Sequence, residues 1–266
     1  MKQLTAEQIQ ENWNKLIQLI KDTFPEDYPD NRREKLLKMY HHFEDRMTVA
    51  PASGKEHYHN AHVGGYVEHV LHVTDLAVQI KEMWELNKAT INFTDEELIF
   101  AAIHHDLGKV GDLDKDYYVP QDSEWHRKNR GEIFTHNGEL SYMTVTDRAI
   151  FLLGHFQIPM SENEYIGLRL TDGLYEEANK NYYISWNPDW GLKSNIAYIL
   201  HQADSMATHI ESDMWKRGED AEQKEEKVHL DNIRTAAKVD STEKVKDVDM
   251  KQRSQDLFDE LFGGKK

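Results

Sequence analysis

Thr94, with Glu97 three residues on, opens the run LIFAAIHHDLGK, and Gly108 stands just short of its end. That is the pattern of a helix with a capping box at its start and a glycine stop at its finish. Leu98 to Ile103 are all apolar, so the helix has to be buried, yet it ends on His104, His105 and Asp106. A carboxylate carried into an apolar interior is costly unless a cation or hydrogen bonds compensate it. Adjacent histidine and aspartate at a core-facing helix end therefore invite a metal ion, and other parts of the chain must supply the remaining ligands. There is no cysteine. Disulfides and thiolate zinc sites are excluded, and the ligands are limited to nitrogen and oxygen.

The rest of the chain is patterned to match. Thr5 precedes AEQIQENWNKLIQLI, whose Ile9, Trp13, Leu16, Ile17 and Ile20 share one stripe. DNRREKLLKMYHHFEDRM reads as a second helix, and a loop with Pro51, Gly54, Gly64 and Gly65 leads into a long third, about 63–86. Helices resume at VTDRAIFLLGHF, after the Ser161 and Glu164 capping box, and at KSNIAYILHQADSMATHIESDMW. Strand patterns are scarce, with KNYYISW the best candidate, so the expected fold class is all-α. The 112–138 segment is irregular, polar and aromatic, and an ordered loop of that length is more often functional than idle. After about residue 216 the sequence becomes charge-dense and poor in large apolar side chains, which predicts a weakly ordered tail. The expected division is a domain over 1–216, with the helices of 1–50 packed on it, and a tail over 217–266 ending in a short amphipathic helix.

With 266 residues and a net charge of −16, the chain can bury one sizeable core but lacks the clustered cations that hold a nucleic acid. A small anionic substrate remains open, because a metal ion reverses the local field. No apolar run approaches the length of a membrane span, and no hydrophobic leader follows Met1, so a soluble cytoplasmic protein is expected.

His69 falls on the long third helix, His105 and Asp106 end the next, and Asp204 lies in the middle of a late one. Separate helices that each turn a nitrogen or oxygen ligand inward are how a helical bundle builds a metal centre. Taken singly, each is as well explained as a hydrogen-bonded core residue. GGYVEHV, AAIHHDLGKVG and ILHQADSMA together resemble the successive motifs of the HD-domain metal-dependent phosphohydrolase superfamily, over about residues 58–210. The resemblance implies an HD-type helical bundle with a long insert after the His-Asp doublet, in which His69, His105, Asp106 and Asp204 hold a divalent metal. His136 and His155 fall where dinuclear members carry two further ligands, which leaves one or two ions of Mn, Co, Mg, Fe or Ni. HYHNAHVGGYVEHV also resembles the corresponding segment of HD-type exoribonucleases. DYYVPQDSEWHRKN and DGLYEEANK look like HD proteins of tailed phages, which would place the protein in a host cytoplasm.

The implied activity is hydrolysis of a phosphoester in a small phosphorylated molecule, a nucleotide above all. Asp106, Lys109 and His104 form the expected catalytic group, with Lys109 on a phosphate oxygen and His104 supporting its neighbours, since it cannot face the same ion as both of them. Lys109 is equally a C-terminal helix lysine paired with the helix dipole. In the insert, Tyr117, Tyr118 and Trp125 are candidates to stack a base, and His126, Arg127, Lys128 and Arg130 to meet phosphates. Asp172 and Glu176 are candidates for sugar hydroxyls or a general base. Two other readings stay open: a dinuclear iron oxygenase using all six ligands, and a non-enzymatic helical adaptor with a structural metal. The SQDLFDELFGG terminus resembles the acidic, aromatic peptides that attach phage proteins to a sliding clamp, and it equally suits a helix docking on its own domain.

Overall fold

Local capping sets where the helices begin. In the computed structural model of the chain, which describes residues 4–217, Thr5 Oγ1 accepts the Gln8 N–H at 3.2 Å and Gln8 Oε1 accepts the Thr5 N–H at 2.8 Å. Helix α1 (Ala6–Thr23) follows and buries Trp13, Leu16, Ile17 and Ile20. The expected second helix is divided: a single turn at Pro29–Asn31, then α2 (Arg32–His42) and α3 (Glu44–Met47), with a break at Phe43. Next come α4 (Gly65–Leu86) and α5 (Asp95–His104), the latter held by the reciprocal Thr94 and Glu97 cap. After a short turn at Leu107–Val110, the chain forms strand β1 (Tyr118–Pro120), helix α6 (Glu124–Arg130) and strand β2 (Phe134–His136). The remaining helices are α7 (Val145–His155), α8 (Glu162–Arg169), α9 (Lys180–Tyr183) and α10 (Ile196–Arg217). The fold is an all-α bundle. No described helix is long and apolar enough to cross a membrane.

Two expectations are corrected. KNYYISW is not a strand: Lys180–Tyr183 is helical, the Tyr183 hydroxyl donates to Leu170 O at 2.8 Å, and its ring packs on Tyr198. No described strand lies there to satisfy a ladder, and an isolated strand leaves its backbone groups without partners. The insert is not wholly irregular. β1 and β2 pair antiparallel with Tyr118 opposite His136, and α6 between them starts on a Ser123 cap and ends on Gly131 in the left-handed region. The Gly54 carbonyl accepts the Ile133 and Phe134 N–H groups, which ties the insert to the loop preceding α4. The charged tail beyond Arg217 and its terminal amphipathic segment lie outside the described residues.

The core follows from the stripes. α4 packs along α10 and α5, and α5 along α8. Tyr66, Val70, Val73, Ala77 and Ile80 of α4 and every residue from Leu98 to Ile103 of α5 are buried. Each large aliphatic side chain so placed contributes roughly 1.5–3 kcal/mol relative to exposure. A buried charged pair ties α8 to the start of α2. Arg32 stacks over Phe100 at 5.1 Å from its ring centre and bonds the fully buried Glu164 carboxylate.

Gly108 shows how tightly the His-Asp turn is seated. A β-carbon there would lie 2.0 Å from the Val145 carbonyl oxygen, so only glycine lets the start of α7 lie against the turn. Gly108→Ala should cost about 1–3 kcal/mol, the usual range for overpacking a filled interior, read as a lowered denaturation midpoint.

Candidate metal centre

α4 and α10 run side by side, and both present polar residues at helical spacing toward the end of α5. On α4, His69 and His72 are one turn apart; on α10, Asp204 and Glu211 are two turns apart and share a face. His69 is fully buried, His105 is 3% exposed and Asp106 8%. His69 Nε2 lies 3.3 Å from Asp204 Oδ1 and 3.7 Å from Asp106 Oδ2. His105 Nε2 lies 3.5 Å from Asp106 Oδ2 and 3.8 Å from Asp204 Oδ1. Two imidazoles from different helices and two carboxylates thus meet at one point.

The far sides of the rings are already engaged. His69 Nδ1 is 3.0 and 3.2 Å from the two Glu211 oxygens, and His105 Nδ1 is 2.7 Å from Ala102 O. Carboxylate and carbonyl oxygens only accept, so both Nδ1 atoms carry the proton, and in the neutral rings Nε2 keeps the lone pair. Both Nε2 atoms are buried without a hydrogen-bond partner. Buried ring nitrogens aimed at two carboxylates, with the opposite nitrogen hydrogen-bonded, are what a divalent ion requires of its ligands. The His/Asp cluster can hold a metal ion.

Charge says the same. Lys109 lies among the carboxylates, its Nζ 2.5 Å from Asp106 Oδ2 and its charge acting on Asp204, while Glu211 faces His69 and His72. Burial works against the ionised form of Asp106, yet Lys109 and the neighbouring histidines hold its carboxyl below the usual range; the same opposition holds Asp204 down, with His69 the main partner. Burial likewise opposes a proton on His69, but Glu211 and Asp204 outweigh it and raise the ring to about 10. In the protein alone, a proton on His69 supplies part of the positive charge the carboxylates demand.

Residues 66–178 match the family model for the HD domain. The chain carries an HD domain. This is the domain of the metal-dependent phosphohydrolase superfamily, whose members are in general metal-dependent hydrolases. The matched segment of the HD domain holds His69, His105 and Asp106 and stops before Asp204 and Glu211, which α10 brings back to it. Comparison with curated proteins and with solved structures gives no significant match.

The other singled-out residues fall in three places. Close to the centre, Tyr118 is half-buried beside Lys109, and burial, opposed by that ammonium, pushes its phenol up to about 12. Asp172 accepts from Thr146 Oγ1 at 3.3 Å; desolvation and then the charges of Asp106 and Asp204 raise its carboxyl. In the core, His104 packs 4.4 Å from the Phe100 ring and 5.8 Å from Tyr40, its Nδ1–H donating to Phe100 O. Successive helical residues point about 100° apart, so His104 is turned away while His105 faces the ligands. Burial holds its ring down at about 3, and it stays neutral.

The third group does not join the centre. His136 is exposed and sets its ring edge against Tyr117. α7 begins against Gly108, so His155, ten residues on, is carried about 15 Å along the helix axis, where it lines a surface hollow with Lys35, Lys38 and His42. Neither belongs to a described group of ligating atoms. On α6, Trp125 is exposed and stacks with Arg130, Lys128 pairs with Glu124, Arg127 bonds the Gln121 carbonyl, and His126 contacts Ser123 Oγ at 2.7 Å. The Glu176 carboxylate accepts the Ala178 N–H at 3.1 Å, a local cap.

Sequence reasoning passed over Glu211, His72 and His59. Glu211 was findable, because it lies two turns beyond Asp204 on one face. It bridges His69 and His72, whose Nδ1 is 2.7 Å from Glu211 Oε1. Glu211→Gln keeps the shape and loses the charge, and it should lower divalent-ion affinity about 10–100-fold, as removing such supporting carboxylates does. Competition against a chromophoric chelator would measure this.

Proposed function

We propose that the chain is a metal-dependent phosphohydrolase that cleaves a phosphoester in a small phosphorylated molecule, a nucleotide in the first instance. The observation that carries this is the convergence of the partnerless His69 and His105 Nε2 atoms with Asp106 and Asp204, next to the Lys109 ammonium. His69, His105, Asp106 and Asp204 would hold the ion. When bound, a divalent ion would supply Lewis-acid chemistry, lowering the pKa of a water molecule and polarising a phosphoryl oxygen. Lys109 offers its N–H groups to a phosphate oxygen, a charge-assisted contact. Asp172, whose carboxyl is raised by burial and by the charges of Asp106 and Asp204, would accept a proton from water. Glu211 fixes the orientation of His69, and the Tyr118 hydroxyl stays protonated as a hydrogen-bond donor near Lys109. The oxygenase alternative drew on six ligands including His136 and His155, and these two stand apart from the other four.

The test is anaerobic turnover of a nucleotide panel by protein loaded with Mn²⁺ or Co²⁺. Phosphate released without oxygen supports the reading, since activating water needs no electron transfer. A strict requirement for iron and O₂ overturns it.

A further inference from the structure

His59 lies in the loop before α4, outside the four-ligand set. Its backbone is fixed on both sides: its carbonyl accepts from Ser53 Oγ at 2.7 Å, and the next residue, Asn60, has φ of 42° with its own carbonyl oxygen 2.1 Å from where a Gly65 β-carbon would stand. That turn brings the His59 ring to 4.6 Å from the ring of His69. A His59 ring nitrogen, a His69 ring nitrogen and an Asp106 oxygen lie within 4.8 Å of one another, as do ligand atoms of His69, His105 and Asp204. His69 belongs to both groups. His59 Nε2 is buried with no hydrogen-bond partner, a condition that costs about 1–3 kcal/mol when nothing takes the lone pair or the proton.

We propose that His59 is a fifth metal donor, giving three imidazole nitrogens and two carboxylate oxygens and a centre that selects a divalent transition ion over Mg²⁺. The proposal rests on the reading of this cluster as the metal centre. Two donors each about 2.1 Å from one ion are at most about 4.2 Å apart, so each group of three has to draw in slightly to close on an ion, and His69, common to both groups, would join His59 and Asp106 to His105 and Asp204. Imidazole suits the later first-row ions such as Fe²⁺, Ni²⁺ and Zn²⁺, whereas Mg²⁺ takes oxygen donors and holds its water.

The experiment uses the full chain stripped by chelator, with Co²⁺ and Mg²⁺ titrated by calorimetry into wild type, His59→Gln and Asp204→Asn, and with X-ray absorption of the Co²⁺-loaded wild type. The expected result is severe loss of Co²⁺ binding in Asp204→Asn, at least about a tenfold loss in His59→Gln with a far smaller change for Mg²⁺, and scattering from three imidazoles. If Asp204→Asn loses Co²⁺ while His59→Gln binds it as wild type does, with an unchanged visible spectrum, the fifth donor is refuted and the four-ligand centre stands. If Asp204→Asn binds Co²⁺ unchanged, the metal-centre reading fails with it. Should His59→Gln not fold, the wild-type scattering decides alone: three imidazoles support the proposal and two overturn it.

Discussion

Asp106→Ala should lose both its metal and its hydrolytic activity, down to background, while its circular dichroism remains that of a helical protein. Asp106 Oδ2 lies 3.5 Å from His105 Nε2, 3.7 Å from His69 Nε2 and 2.5 Å from Lys109 Nζ. Among the described residues, Asp204 also stands against both rings, but Asp106 is the carboxylate that pairs with the ammonium as well. Its removal takes away the carboxylate paired with Lys109 and leaves Asp204 alone to offset both the ammonium and an incoming cation. The helices themselves do not depend on it, because their stability comes from apolar stripes that the substitution does not touch. Elemental analysis of purified protein and phosphate release under saturating Mn²⁺ check the two halves. Full activity in Asp106→Ala would remove the case for HD chemistry at this site.

Arg32→Ala should be the most destabilising single change in the core, by about 3–5 kcal/mol, the range for breaking a buried ion pair from one side. Arg32 bonds the Glu164 carboxylate, donates through Nη2 to Pro159 O at 2.9 Å and stacks its guanidinium on Phe24, Tyr28 and Phe100. Glu164 is fully buried, and burial already pushes its carboxyl up against the lowering influence of the Ser161 backbone and Arg32. Without Arg32 that carboxyl must take a proton or remain an unpaired charge. The truncation also empties a space that the guanidinium filled among three rings. A fall in melting temperature on the order of 10 °C is expected for a domain of this size. Arg32→Ala with Glu164→Gln should recover part of the loss, because the buried charge is then gone, and a double-mutant cycle of melting curves measures how much. Independent, additive losses would show that Arg32 acts through packing alone.

Periodicity and capping made the helices legible from the residues. Thr5, Thr94 and Ser161 each cap the helix they were expected to cap, because a side-chain oxygen three residues before an acidic or amide partner acts through local geometry that needs no tertiary contact. The same logic missed α6, although Ser123 and Gly131 bracket it, since a short polar helix has no apolar stripe to announce it. It also failed at KNYYISW, read as the best strand candidate, because a strand needs a partner that only the fold can provide. Which histidines meet was beyond sequence alone: His136 and His155 differ from His69 and His105 in nothing that spacing reveals, and α7 carries His155 away only because its first turn rests on Gly108. The chain by itself determined an all-α bundle with a nitrogen and oxygen metal chemistry, through helix periodicity, local caps, the His-Asp doublet and the lack of cysteine. Tertiary structure alone decided that Glu211 orients His69, that His104 belongs to the core and that His59 turns inward, because these depend on the packing of α10 against α4 and on a loop held by Gly65, contacts between residues far apart in sequence or set by backbone conformation.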